Sequence, residues 1–174
     1  MKFGYFDDKN KEYVIEKPDT PRPWSNYIGS AEFGAIITNN AAGYTFYKSA
    51  AQGRLLRFRF NSPVSDMPGK FVYVRDDNTG EFWSNSWLPC KKNLSKFKYK
   101  ARFGTGYSII QSKYSQILSK TTYFIPLDKL YEIWNIKIKN NSNKIRKISV
   151  FPFIENQCNW NALDDATNLQ YTQY

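Results

Sequence analysis

Two adjacent carboxylate pairs, Asp76-Asp77 and Asp164-Asp165, are the first residues in this chain that could do chemistry. Paired carboxyls cleave glycosidic bonds when one donates a proton and the other activates or supplies a nucleophile. Neighbouring residues project in different directions and seldom converge on one substrate atom, so turn and loop roles are expected for both pairs. Asp76-Asp77 opens the run Asp76-Asp77-Asn78-Thr79-Gly80, which has the composition of a hairpin loop. The chain has no histidine. That removes the commonest general base, the usual partner of a nucleophile and the commonest metal ligand. Cys90 and Cys158 lie far apart with no CxxC spacing, which fits free thiols in a reducing compartment better than a metal site or a disulfide framework. Neither a metal nor an organic cofactor is expected.

Aromatic residues make up 18% of the chain, from 13 Phe, 13 Tyr and 5 Trp. Strands favour such side chains, and sugar-binding proteins use them because the apolar face of a pyranose stacks on a ring. Trp24, Tyr44, Tyr47, Trp83, Trp87 and Trp160 are the candidate platforms. Trp83 and Trp87 stand four apart, so one strand would present both on the same side. Packing is the expectation for all of them except Trp160, which lies close to an amide-rich loop.

Such residues need elements to position them, and the sequence offers strands. Helical periodicity is hard to find in the 174 residues, whereas short β-favouring runs are punctuated by Gly, Pro, Asn and Asp. Strands are predicted over Glu12 to Ile15, Gly34 to Thr38, Tyr44 to Tyr47, Arg54 to Phe60, Lys70 to Arg75 and Glu81 to Trp83. More follow over Lys98 to Arg102, Tyr107 to Tyr114, Gln116 to Ile125, Leu130 to Lys139 and Ile145 to Phe153. Asn140 to Asn143 turns the chain, and Ile145 to Phe153 is expected to run back along Leu130 to Lys139. Mostly short connections predict antiparallel pairing, since parallel pairs need crossover helices. The expected fold is all-β, a large antiparallel β-sandwich.

The net charge is +10, which raises a nucleic-acid reading. Lys96, Lys98, Lys100 and Arg102 nevertheless alternate with Phe97, Tyr99, Ala101 and Phe103, as in a strand with one wet face. Solvated strand faces are the expectation, with no nucleic-acid partner. No run approaches the ~18 apolar residues of a membrane span, and the charged start from Met1 to Asn10 lacks the apolar core of a signal peptide. A cytoplasmic location is expected.

Several segments resemble the N-terminal region of the cellobiose and chitobiose phosphorylases, glycoside hydrolase family 94. They are Tyr5-Phe6-Asp7-Asp8 with Glu12-Tyr13-Val14-Ile15, and Pro21-Arg22-Pro23-Trp24 leading to Asn26-Tyr27-Ile28-Gly29. Gly43-Tyr44-Thr45-Phe46-Tyr47 follows, with Ala42 where the family has a further Gly. Next come Tyr73-Val74-Arg75-Asp76-Asp77, Trp83-Ser84 with Trp87-x-Pro89, and Gly104-x-Gly106-Tyr107-Ser108. Phe124-Ile125-Pro126-Leu127 and Phe151-Pro152-Phe153-Ile154-Glu155 keep the same order. Last, Trp160-Asn161-Ala162-Leu163-Asp164-Asp165-Ala166-Thr167-Asn168-x-Gln170 resembles the cellobiose branch more than the chitobiose branch.

The resemblance implies a sandwich of the galactose-mutarotase-like supersandwich type over residues 1–155, incomplete at its C-terminal end. It implies a polar loop over 156–174 leading towards a missing (α/α)6 barrel. Intact members split a β-linked disaccharide with inorganic phosphate, inverting the anomeric centre to give an α-sugar 1-phosphate. Their general acid is an Asp of the barrel, so no catalytic residue is expected in this chain, and phosphate is a co-substrate. The domain would give structural support, homodimer contacts and part of the acceptor-sugar site, with Gln170, Tyr171 and Trp160 as its substrate-binding residues. Tyr171 stands where the family has Arg after the Gln, which leaves cellobiose, a longer cello-oligosaccharide and another β-glucoside open. Gln170 itself is either a sugar contact or a loop amide satisfied by backbone. A stand-alone carbohydrate-binding sandwich without catalysis is the alternative reading.

Overall fold

The computed structural model describes residues 2–56 and 69–156, which form twelve β-strands and no helix among the described residues. Strands β1 (Gly4–Asp7), β2 (Glu12–Ile15), β8 (Lys98–Gly104), β9 (Tyr107–Tyr114), β10 (Ile117–Phe124) and β11 (Ile133–Asn140) make a six-stranded sheet in the order β1-β2-β8-β9-β10-β11. A second sheet runs β12-β6-β7, from Ile148–Phe153, Phe71–Asp76 and Phe82–Ser84. A third runs β3-β4-β5, from Ser25–Gly29, Phe33–Thr38 and Gly43–Tyr47. Every named pairing is antiparallel, as the short connections require. The all-β expectation holds.

The two small sheets share one core with the inner face of the large one. Ile15, Ala101, Ile110, Ile117 and Tyr123 from the large sheet meet Ile28, Phe33, Ala35 and Ile37 from the third and Phe71, Val74 and Trp83 from the second. Burial at about 25 cal/mol per Å² of apolar surface makes this cluster the main source of stability. Gly43 joins β5 to its turn at φ +124, and an added Cβ would sit 2.0 Å from the Ile36 carbonyl oxygen. No other residue type fits there.

Part of the inner face is polar. Ser108, Ser112, Ser119 and Thr121 point inward from β9 and β10 and are buried. Ser108 Oγ accepts from Asn26 Nδ2 at 3.1 Å; the rest of the patch is satisfied by Asn85, just beyond β7, whose Nδ2 donates to the Ile110 carbonyl at 3.0 Å and to Thr121 Oγ1 at 2.9 Å. Its Oδ1 accepts from Ser112 Oγ at 3.0 Å and Ser119 Oγ at 2.7 Å. A buried amide with each of its polar atoms paired holds β7 in register over the sheet without an unpaired dipole.

The outer face of the large sheet is a lysine array. Lys98 lies opposite Lys113, which continues through Leu118 to Lys139. In the next row Lys100 lies opposite Gln111, then Lys120, then Lys137. The alternation read over 96–103 is that of a two-faced strand from Lys98 onward, while Lys96 and Phe97 belong to the preceding turn.

Three expectations are corrected. Strands β1 and β3 are additional to the predicted set. Strands β11 and β12 do not pair with each other: β12 leaves for the second sheet and lines up with β6, Ile148 opposite Asp76 through to Phe153 opposite Phe71. The crossing is fixed at its end, where Arg146 donates to Asp76, and Asp77 N donates to the Lys147 carbonyl at 2.9 Å. Trp83 and Trp87 do not share a strand face, because β7 ends at Ser84 and Trp87 turns the chain at φ +76. Trp83 is fully buried, while Trp87 Nε1 donates to the Lys92 carbonyl at 2.8 Å. Only Arg54 to Leu56 of the strand predicted over 54–60 is described, and it makes isolated bridges to Phe46 and Asn156.

Candidate functional site

The residues expected to touch sugar, Trp160, Gln170 and Tyr171, lie outside the described residues, as do Asp164-Asp165 and Cys158. What is described is the place from which that segment departs. The last described residue, Asn156, bridges Leu56 on the rim of a concavity of about 530 Å³. Its walls are Phe33, Leu55, Trp134, Pro152 and Ile154, and its floor carries Thr45 and Glu132.

Glu132 immediately precedes β11, which turns its carboxylate under the two small sheets. Its Oε2 accepts from Lys70 Nζ at 2.7 Å and from Thr45 Oγ1 at 2.6 Å, and its Oε1 accepts from Trp134 Nε1 at 2.9 Å. The Lys70 side chain is 0% exposed and that of Glu132 7%. Lys70 is seated by its own backbone: its N donates to the Ala41 carbonyl at 2.7 Å, and Tyr123 Oη donates to its carbonyl at 3.0 Å. Burial pushes the Lys70 ammonium below its ordinary pKa, against the attraction of Glu132. Burial likewise keeps the Tyr123 hydroxyl protonated. Chemically, the Glu132 carboxylate is a structural anchor, both of its oxygens taken up by donors from three separate segments.

Other carboxylates follow the same pattern. Glu12 Oε2 accepts from Arg102 Nη1 at 2.6 Å and its Oε1 from Tyr107 Oη at 2.8 Å. The Asp76-Asp77 pair locks the β6–β7 turn, as the composition suggested. Asp76 accepts from Arg146 and from the Asn78 amide at 3.0 Å, and Asp77 Oδ2 accepts from Ser149 Oγ at 2.7 Å. Asp76 is held below its ordinary range: burial pushes it up, but the hydrogen bonds from Arg146, Asn78 and Thr79 outweigh that. Cys90 is half-buried and burial raises its pKa, which makes the thiol a poor nucleophile. Among the described residues no three His, Cys, Asp or Glu side chains cluster as a metal site would need, and no helix is long and apolar enough to cross a membrane.

The aromatic candidates divide. Trp24 packs between Phe3 and Tyr13, with ring centroids 6.0 and 5.8 Å away. The Tyr44 ring lies under the Arg54 guanidinium at 3.9 Å. Sequence reasoning missed Lys70, Thr45 and Glu132 as a group. The available signal was parity: Lys70 shares a strand face with Val72 and Val74, both 0% exposed, so it had to be buried and therefore paired.

Comparison with known proteins bears on this architecture. A family model described as "Glycosyl hydrolase 94, supersandwich domain" matches residues 11–174. N,N'-diacetylchitobiose phosphorylase from Vibrio proteolyticus is 46% identical over 155 residues, covering 89% of this chain and 19% of that protein. The protein of the same description from Vibrio furnissii is 44% identical over the same shares. Solabiose phosphorylase from Paenibacillus borealis is 31% identical over 161 residues, 88% of this chain and 20% of that protein. The chain thus spans about a fifth of the length of these relatives, matching their N-terminal regions. Two diacetylchitobiose phosphorylases at this identity give no support to a leaning towards the cellobiose branch.

Proposed function

The chain belongs to the supersandwich-domain family of glycosyl hydrolase 94, and from that premise we propose that it serves as the N-terminal domain of an inverting disaccharide phosphorylase. In that enzyme a β-linked disaccharide and inorganic phosphate give an α-sugar 1-phosphate and a free sugar, with the proton donor on a separate helical barrel. The observation that carries this reading is the match across 89% of the chain to N-terminal regions of diacetylchitobiose phosphorylases. The anchored state of Glu132, Glu12 and Asp76 supports it. These carboxylates stabilise a scaffold.

On this reading, Trp160, Gln170 and Tyr171 contribute to the acceptor-sugar site of that enzyme. Tyr171 offers one hydroxyl where an Arg would offer a planar fork of donors, so acceptor choice is set by fewer, more adaptable hydrogen bonds. Apolar residues left open on β12 give the domain its contacts with the barrel and with a second subunit. The enzyme works in the cytoplasm, where a free thiol such as Cys90 persists.

A chimera tests the proposal. The matched N-terminal segment of the Vibrio proteolyticus enzyme is replaced by this chain, and phosphate-dependent release of sugar 1-phosphate is measured with diacetylchitobiose and cellobiose. Phosphorolysis of either disaccharide is the expected result, and its ratio between the two reads the substrate preference conferred by this domain. A chimera that folds, assembles like the parent and turns over neither would overturn the reading.

A further inference from the structure

At the far end of the large sheet from the lysine array lies a second concavity, of about 840 Å³, between the β1–β2 hairpin, the β8–β9 turn and β3. Its volume is that of a ligand site. Its floor is set by strand register: Phe6 lies opposite Tyr13, and Tyr13 opposite Phe103, giving a row of three rings across β1, β2 and β8. Phe6 and Tyr13 meet edge to face with centroids 4.8 Å apart, and Trp24 adds a fourth ring 5.8 Å from Tyr13. Despite this packing Phe6 is 78% exposed, and Tyr27 on the opposite wall is 55% exposed.

The walls are rigid. Asn26 Nδ2 on β3 donates to the Gly104 carbonyl at 3.0 Å, the Tyr107 carbonyl at 2.9 Å and Ser108 Oγ at 3.1 Å, which fixes the width of the groove. The β1–β2 turn is closed by Asn10, whose N and Nδ2 donate to the two oxygens of Asp7 at 3.2 and 2.8 Å. Within that locked turn Asp8 and Lys11 line the groove, and neither forms an ion pair among the described residues. Ser25 and Thr105 add hydroxyls on the other rim.

A purely apolar partner would leave Asp8 and Lys11 desolvated and unpaired, and a polyanion would meet the Asp8 carboxylate. A molecule with flat C–H faces and a fringe of hydroxyls suits both floor and rim. We infer that this groove is a saccharide-binding site for β-linked, gluco-configured oligosaccharides. Equatorial substituents leave both faces of such a pyranose ring apolar, ready to stack on Phe6. The hydroxyls donate to Asp8 and accept from Lys11. The site needs no catalytic barrel, so it stands or falls apart from the phosphorylase reading.

The test titrates the purified chain with cellotriose, tri-N-acetylchitotriose and, as an α-linked control, maltotriose, following amide NMR shifts. Saturable shifts at residues 5–13 and 103–107 are expected with at least one β-linked sugar, with affinity on the order of 1 mM, and none with maltotriose. Phe6→Ala removes an exposed ring, so the melting temperature should hold while affinity falls at least tenfold; Asp8→Ala, also at the surface, should weaken binding severalfold. No shifts with about 10 mM of either β-linked sugar would overturn the inference, as would equal affinity in Phe6→Ala. Reduced self-association in Phe6→Ala without any sugar effect would overturn it too, by showing that a second copy covers the ring.

Discussion

Lys70 holds its ammonium 2.7 Å from the Glu132 carboxylate with the lysine side chain wholly out of solvent. Removing one member of such a pair strands the other charge in the interior. Lys70→Ala or Glu132→Leu should therefore lose about 3–5 kcal/mol of stability, read as the drop in a urea unfolding midpoint. The double variant Lys70→Met with Glu132→Leu should recover most of that loss, because two apolar groups leave no unpaired charge. A double variant as unstable as the singles would show that the charges themselves are needed.

Asn85 gathers four hydrogen bonds from β9 and β10. Asn85→Leu would leave Thr121 and the Ile110 carbonyl facing an apolar side chain and Ser112 and Ser119 with only each other, each unpaired group costing about 1–3 kcal/mol. The domain is expected to lose cooperative unfolding in that variant, seen as a broadened thermal transition with strand content largely retained.

Stability should be flat across neutral pH and fall in acid. With no histidine, no side chain with an ordinary pKa titrates between about pH 5 and 8. Among the described residues, three carboxyls have folded pKa values below their ordinary ones. Asp7 is lowered chiefly by the hydrogen bonds of Asn10, and Glu81 chiefly by that of Tyr114. In Asp76, hydrogen bonds led by Arg146 overcome an upward push from burial. Groups lowered in this way stabilise the fold above their unfolded values, and that contribution fades as pH drops through the folded ones. Urea midpoints should be constant from about pH 5 to 8 and decline below about pH 4.

Among the described strands β12 lies at a sheet edge and exposes Phe151 at 49% and Phe153 at 38%, with Ile154 just beyond it at 44%. Exposed apolar residues beside an unpaired strand edge promote association. The purified chain should self-associate in a concentration-dependent manner by light scattering. Phe151→Lys should reduce this while leaving the circular dichroism spectrum unchanged.

Much of the fold could be read from alternation. The prediction for β9 matches its bounds, Tyr107–Tyr114, because a β-favouring run lies between the turn residues Gly106 and Ser115. Strand β3, Ser25–Gly29, escaped notice because only Ile28 along it is buried, so an edge strand of this kind carries almost no periodic signal. The second-sheet membership of β12 was hidden for another reason. A turn-rich 141–147 suits a hairpin as well as a crossing, and the choice is made by the long-range contact of Arg146 with Asp76, 70 residues away in sequence.

The site was less legible than the fold. Lys70 and Glu132 are separated by 62 residues, and no local pattern announces that a lysine and a glutamate so placed will meet. Serines facing inward from β9 and β10 look like solvent-facing positions until Asn85 is seen to satisfy them. By contrast, the roles of Asp76 and Asp77 were legible, since turn composition is local chemistry.

The lysine rows on the large sheet carry one more consequence. Two copies approaching broad side to broad side would set ammonium against ammonium along two tiers of each sheet, so repulsion guards the flattest surface of the molecule against stacking. That repulsion favours approach through the rims of the sheet, and added salt, by screening it, should let concentrated solutions cloud.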